Sequence, residues 1–259
     1  MNSSPVPSVP RLVDTLRSSP RPALLWYGSG GERVELSGRV LENWAAKTAN
    51  LWAEELDVVP GDAVTVGAQV HWRTVVAVLG AWLAGAAVRP ADPVSGAAAP
   101  GDRAVLALAG TDGSAPPLLT GAPAGTVRVL ADPPALSLGL RGGLPAGADV
   151  DYCAEIRAHD DVWSPVAEPV DADPALVAAG GTAVAHAALL DRAREAAAGR
   201  EEAWGRAAAV HVPGAAADAA FLLRVLAVLA SGRAVLLTDR DTGQASWQDV
   251  LAAERATGF

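Results

Sequence analysis

Residues 36–93 constrain the fold more than any other segment, because they spell a strand, a helix, a turn, a buried strand, a second helix and a third strand in succession. After Leu36 and Ser37, the residues Val40, Leu41, Trp44, Ala45, Thr48, Leu51 and Trp52 recur at three- and four-residue spacing. That period gives a helix one apolar face and turns Glu42, Asn43, Lys47 and Glu54 away from it. Pro60-Gly61-Asp62 then stops the helix and reverses the chain, since proline fixes φ and glycine tolerates conformations that other residues avoid. Residues 63–68 form a short apolar run with two valines and a threonine, which suits a strand buried on both faces. Residues 74–83 resume helical length, and Gly85 stands where a helix of that register needs its C-terminal glycine. Residues 88–90 lead through Ala91-Asp92-Pro93 out of the sheet.

The segment 24–93, with its ELSGRVLENWAAKTANLWAEELDVVPGDAV core and its VVAVLGAWLAGAAVRPADP close, resembles the N-terminal part of the adenylate-forming, AMP-binding superfamily. That superfamily includes acyl-CoA synthetases, luciferases and nonribosomal adenylation domains. The resemblance implies an α/β fold with two lobes of mostly parallel sheet flanked by helices, as in the first half of the family's large domain. The matching residues are scaffold in that family, and none of them performs chemistry there.

Further along, residues 103–109 and 126–131 read as short strands, and 149–159 as a short helix. A boundary near 163–170 divides an N-terminal lobe, 1–170, from a second lobe, 171–259, packed on it. The second lobe reads as strand 175–178, helix 185–198, strand 207–212, helix 216–230, strand 233–238 and helix 247–256. This alternation predicts right-handed parallel connections. Gly28-Ser29-Gly30-Gly31 lies between two strand-like runs, so it reads as a hairpin turn and not as a dinucleotide fingerprint.

The resemblance makes the junction at Gly180 the decisive place. Adenylate-forming enzymes carry there a loop rich in Ser, Thr and Gly that ends in Pro-Lys-Gly and embraces the ATP phosphates, with a histidine often following. In this chain Gly180, Gly181 and Thr182 stand at the start of such a loop and His186 at the histidine, while the Pro-Lys pair is absent. These four residues are the candidate ligand-binding set. Read as a glycine turn feeding a helix N-terminus, they would attract one anion through free N–H groups and a partial charge of about +0.5. A missing lysine matters, because a unit charge pair at about 4 Å is worth about 4 kcal/mol at an effective dielectric of about 20. Lys47 is the only lysine among 20 basic residues, so a mechanism needing a mobile lysine would have to use a scaffold helix. The family's magnesium, ribose and adenine ligands and its second catalytic lysine are expected beyond the region that this sequence matches.

Charge and composition bound the rest. A net charge of −9 opposes binding to nucleic acid or to anionic membranes. The apolar run 74–88 is shorter than the roughly 20 residues of a bilayer span, and no secretory signal pattern opens the chain, so a cytoplasmic protein is expected. The single cysteine, Cys153, excludes an internal disulfide framework, and four histidines without ligand spacing give no metal site. The resulting expectation is a non-catalytic relative of AMP-binding enzymes that acts as a binding or interaction protein and needs no cofactor. Two alternatives stand beside it: a module holding a nucleotide or acyl ligand, and a partial adenylating enzyme completed by a partner chain. A homodimer or a partner protein is expected to cover apolar surface.

Overall fold

The computed structural model describes residues 7–28, 30–92, 96–165, 167, 169–239 and 244–259. Helix α1 (Val9–Leu16) leads into the hairpin β1 (Pro22–Tyr27) and β2 (Arg33–Ser37), which pair antiparallel across the glycine turn as the sequence predicts. Ser37 then caps α2 (Gly38–Asn50) by accepting the Val40 N–H at 3.3 Å. The helix continues as a π-turn over Leu51–Glu55 and ends before the Pro60 turn. Next come β3 (Ala63–Val66), α3 (Trp72–Leu83) and β4 (Ala87–Pro90), with Gly85 at φ +79° closing α3. The exit residue Pro93 lies outside the described residues.

The chain goes on through β5 (Ala104–Leu108), α4 (Pro117–Thr120), β6 (Val127–Ala131), β7 (Val150–Asp151) and α5 (Tyr152–Glu155). It then forms β8 (Pro174–Val177), β9 (Ala183–Ala185), a 3₁₀ turn at His186–Ala188, α6 (Leu189–Ala196) and α7 (Glu201–Trp204). The last elements are β10 (Ala209–His211), α8 (Ala219–Ala230), β11 (Ala234–Thr238), α9 (Gln244–Ala253) and β12 (Ala256–Gly258).

Two sheets result, of order β7-β6-β5-β3-β4-β8-β9 and β12-β10-β11-β1-β2. All neighbours pair parallel except at the edges, where β9 runs antiparallel to β8 and β2 to β1. The mostly parallel α/β fold is the one expected. Each sheet recruits strands from both sides of residue 170: β8 and β9 join the first sheet, and β1 and β2 the second. Hydrogen-bonding edges left by β4 and β11 are thereby covered, which removes unpaired backbone from the core.

Period-two alternation sorts side chains between layers. Leu24, Trp26, Val235 and Leu237 point into the main core, while Leu25 and Leu236 point to the opposite face, against Val250 and Leu251 of α9. In the other sheet Leu106 and Leu108 enter the main core, and Val105 and Ala107 meet Leu118 and Leu119 of α4. Helix α3 touches β3 and β4 of one sheet and β1 of the other. Every residue of α3 is buried, as its apolar character all round requires. No helix among the described residues is long and apolar enough to cross a membrane.

Several local expectations change. Val40 is exposed and Glu42 is buried, because α1 packs on α2 and brings Arg17 within 2.9 Å of the Glu42 carboxylate. The helix expected over 185–198 begins only after β9 and the 3₁₀ turn. The helix expected over 149–159 shrinks to α5, preceded by β7. The helix expected to reach 256 stops at Ala253, and the chain adds β12 beside β10.

Candidate functional site

In parallel α/β sheets, ligands gather in crevices at the carboxyl ends of the strands, where loops diverge and helix N-termini converge. Here a crevice of about 1050 Å³ is walled by the residues that follow β1, β3, β4, β5, β6, β10 and β11. It therefore draws on both sheets. Trp26, Val70, Leu118 and Leu140 supply apolar wall, and Glu32, Asp112, Asp132 and Arg141 supply charge. Its volume stands at the top of the usual range for small-molecule sites, about 300–1,000 Å³.

One wall is organised by the first turn of α3. His71 caps the helix, its Nδ1 accepting the Arg73 N–H at 3.1 Å, and its ring meets Trp26 edge-on at 4.4 Å. Burial, aided by the Arg73 charge, pushes the His71 imidazole down to about 3, although the Pro133 carbonyl opposes the shift. The ring is therefore neutral at pH 7. Arg73 is 1% exposed, stacks on Trp72 at 4.3 Å and donates from Nη2 to the Pro134 carbonyl at 2.9 Å. Its Nε and Nη1 have no hydrogen-bond partner. The buried guanidinium thus anchors Pro133-Pro134, which form part of the crevice wall.

The predicted residues lie elsewhere. Gly180 and Gly181, at φ +88° and +85°, form a tight turn joining the antiparallel strands β8 and β9. Ala178 N–H donates to Thr182 O at 2.8 Å, and Gly181 N–H donates to Ala178 O at 3.0 Å. The expected entry into a helix N-terminus is corrected, since three residues of β9 and a 3₁₀ turn intervene before α6. Gly180 and Gly181 line a separate cavity of about 280 Å³, whereas Thr182 and His186 do not. His186 is buried, and burial lowers its proton affinity.

Arg89 is the arginine that lines this smaller cavity. It is oriented by Asp102, whose side chain is 1% exposed and accepts Arg89 Nε at 2.9 Å, the Ala99 N–H and the Thr65 hydroxyl. Asp92 borders both cavities, so the two are neighbours. The lone lysine is committed elsewhere, Lys47 Nζ donating to the His159 carbonyl. Among the described residues no group of His, Cys, Asp and Glu is placed to hold a metal ion.

Sequence reasoning missed His71, Arg73, Arg89 and Asp102. One local signal existed: an arginine inside the run that became the fully buried α3 must be either exposed or specifically engaged.

No family model matches the chain. A Mycobacterium tuberculosis protein named TIGR03089 family protein is 37% identical over 161 residues, which is 60% of this chain and 60% of that protein. Among solved structures, the acyl-CoA synthetase of Brucella canis superposes with a TM-score of 0.72 at 19% identity, covering 100% of this chain and 48% of that one. Fatty acyl-adenylate ligases from E. coli and L. pneumophila give 0.70 at 16% identity, covering 97% of this chain and 45% of the other. The chain spans about half the length of these solved relatives. The fold is that of the N-terminal part of adenylate-forming enzymes, as the sequence resemblance implied.

Proposed function

We propose that the chain is a non-catalytic relative of the AMP-binding acyl-CoA synthetases and acts as a binding or interaction protein. The observation that carries this reading is the β8–β9 turn. Where the resemblance implies a phosphate-embracing loop, the chain has a tight hairpin whose Ala178 and Gly181 N–H groups are spent on internal hydrogen bonds. No lysine stands in that turn, and no helix N-terminus follows it directly. Without donors in that turn aimed at the transferring phosphates, the charge that develops in adenylation lacks the stabilisation such a loop supplies. The test is pyrophosphate exchange with ATP and a panel of carboxylic acids. No exchange above background is expected, and exchange by the purified chain would refute the reading.

A second reading is favoured by Arg89 beside Gly180 and Gly181: the smaller cavity retains one anion. Titration calorimetry with AMP and ATP, repeated on Arg89→Met, tests it. Heat that the variant loses supports retention, and no heat from either nucleotide removes it. The reading also places the protein in the cytoplasm as a homodimer, and light scattering that finds only monomer would contradict the dimer.

A further inference from the structure

We propose that two copies of the chain pair through the loop that follows β6, the exposed leucines of each copy's loop roofing the other copy's large crevice. This rests on the reading of the protein as a homodimeric binding protein, and it names the face.

The loop, residues 133–148, is unusual in this chain. It holds no carboxylate although the protein has 29 acidic residues, and Arg141 is its single charge. Of its four leucines, Leu140 turns inward, packs on the cluster that contains Leu118 and lines the crevice. Leu136, Leu138 and Leu144 turn outward, with exposures of 93%, 66% and 47%. Leucines scattered singly over a surface are ordinary, whereas three close together on one loop form a patch.

The patch is held in place from beneath. Buried Arg73 donates to the Pro134 carbonyl at 2.9 Å, and Glu32 accepts the Ala135 N–H at 3.3 Å. Between the two most exposed leucines, the Ser137 hydroxyl donates to Asp132 at 2.5 Å and accepts the Gly139 N–H at 3.3 Å. Asp151 accepts the Leu140 N–H at 2.6 Å. Leu136 and Leu138 are therefore presented outward by an ordered loop, which lowers the entropic cost of docking.

A second copy is the occupant that the geometry favours. Pro133, Pro134, Leu140 and Arg141 line the crevice, so the projecting leucines and a recess to receive them lie on one face. A two-fold axis at that mouth carries each copy's Leu136 and Leu138 to the other's recess, and the contact closes at two copies. The recess of about 1050 Å³ offers apolar wall at Val70, Leu118 and Leu140. The incoming loop brings no carboxylate toward Glu32 and Asp112 of that wall, and its one charge is of opposite sign to theirs. An anionic lipid surface is the poorer match, because a single arginine does not offset these acids in a protein of net charge −9.

Light scattering from low to high micromolar concentration should give a mass that approaches twice 26.2 kDa. Leu136→Ser with Leu138→Ser should weaken the dimer at least about tenfold and leave the far-ultraviolet circular dichroism unchanged, since both side chains are exposed. Mixing a Leu136→Cys chain with an Asp112→Cys chain reads the face itself. Their mixed disulfide should form under mild oxidation, because Asp112 lines the crevice and the native Cys153 is buried. Val59→Cys, in the turn before β3 and so at the opposite end of the strands, should not cross-link to Asp112→Cys. Monomer alone at every concentration, a dimer indifferent to the serine pair, or Val59→Cys cross-linking as readily as Leu136→Cys would overturn the proposal. An indifferent dimer would refute this face and leave the homodimer standing, while pyrophosphate exchange on the same preparation bears on the non-catalytic reading alone.

Discussion

Gly80→Ala sets two well-measured effects against each other at the crossing of α2 and α3. Within a helix, alanine is favoured over glycine by about 1 kcal/mol, and burying a methyl group adds about 0.8 kcal/mol. Sterics act the other way. A Cβ at Gly80 would sit 2.7 Å from Thr48 Cβ, 2.8 Å from Thr48 Cγ2 and 3.0 Å from Ala49 N. Thr48 has little room to yield, because its hydroxyl bonds the Trp44 carbonyl at 2.7 Å and the buried Tyr152 hydroxyl at 2.8 Å. Overpacking a rigid contact costs about 1–3 kcal/mol, and here backbone is among the atoms struck, so the upper part of that range applies. The methyl's transfer gain is realised only if the contact fits, so it drops out of the balance. The net expectation is destabilisation by about 1–2 kcal/mol. Urea unfolding followed by tryptophan fluorescence should show a midpoint lowered by about half a molar at unchanged slope. Thr48→Ser removes Cγ2 and keeps the hydroxyl, so adding it to Gly80→Ala should recover part of the loss and give a non-additive cycle. A midpoint equal to or above that of the parent would show that the helices separate freely there, and the reasoning would fall.

Two further predictions follow from buried ionisable groups. The folded His71 takes up a proton only at about 3, whereas the unfolded chain does so near 6.5, so its contribution is complete above 6.5 and is lost as pH falls toward 3. Asparagine keeps a cap acceptor without titrating, so His71→Asn should flatten the fall of the urea midpoint between about pH 6 and 4, leaving the parts due to His186, which burial also lowers, and to His211, which burial lowers to about 4. Asp102→Asn removes the charge that orients Arg89 and should cost about 2–3 kcal/mol, less than for a wholly buried pair because Arg89 is 38% exposed. The same variant should weaken any AMP heat, and an unchanged midpoint would mean that Thr65 and Ala99 bond the amide as well as the carboxylate.

How much of this was legible depended on whether the deciding contacts were local. The helices of residues 38–55 and 72–83 follow from apolar spacing and from Ser37 and Gly85, which act within one turn. Glu42 was misjudged because its partner, Arg17, stands at the C-cap of α1, a helix remote in sequence that the reading did not include. Both short edge strands at the C-terminal side, β9 and β12, were missed, each meeting an expected helix at a single residue: three-residue segments such as Ala183–Ala185 have no period to read, and pairing alone makes them strands. The crevice was invisible for a stronger reason. Its wall runs from Trp26 to Asp239 and is brought together by strand order, which no local spacing encodes.

Strand order also sets the Gly180 turn apart from the large crevice. The Gly180 turn hangs from β8, near the edge of its sheet, where a change in its length would bear first on the β9 pairing. The large crevice is held by β3, β5 and β6 of that sheet and by β1, β10 and β11 of the other, all of them locked to one another by parallel ladders and the core between them. Its position is therefore a property of the scaffold, while its charge is set by residues in the loops after those strands, Asp112 and Asp132 among them. Such loops tolerate substitution far better than the strands do. A chain built this way can keep the shape of the crevice while the charge of its wall varies with the loops. Removing two wall charges while keeping the acceptors for Ala135 N–H and for Ser114, Glu32→Gln with Asp112→Asn, should then leave the urea unfolding midpoint nearly unchanged, since both side chains are exposed.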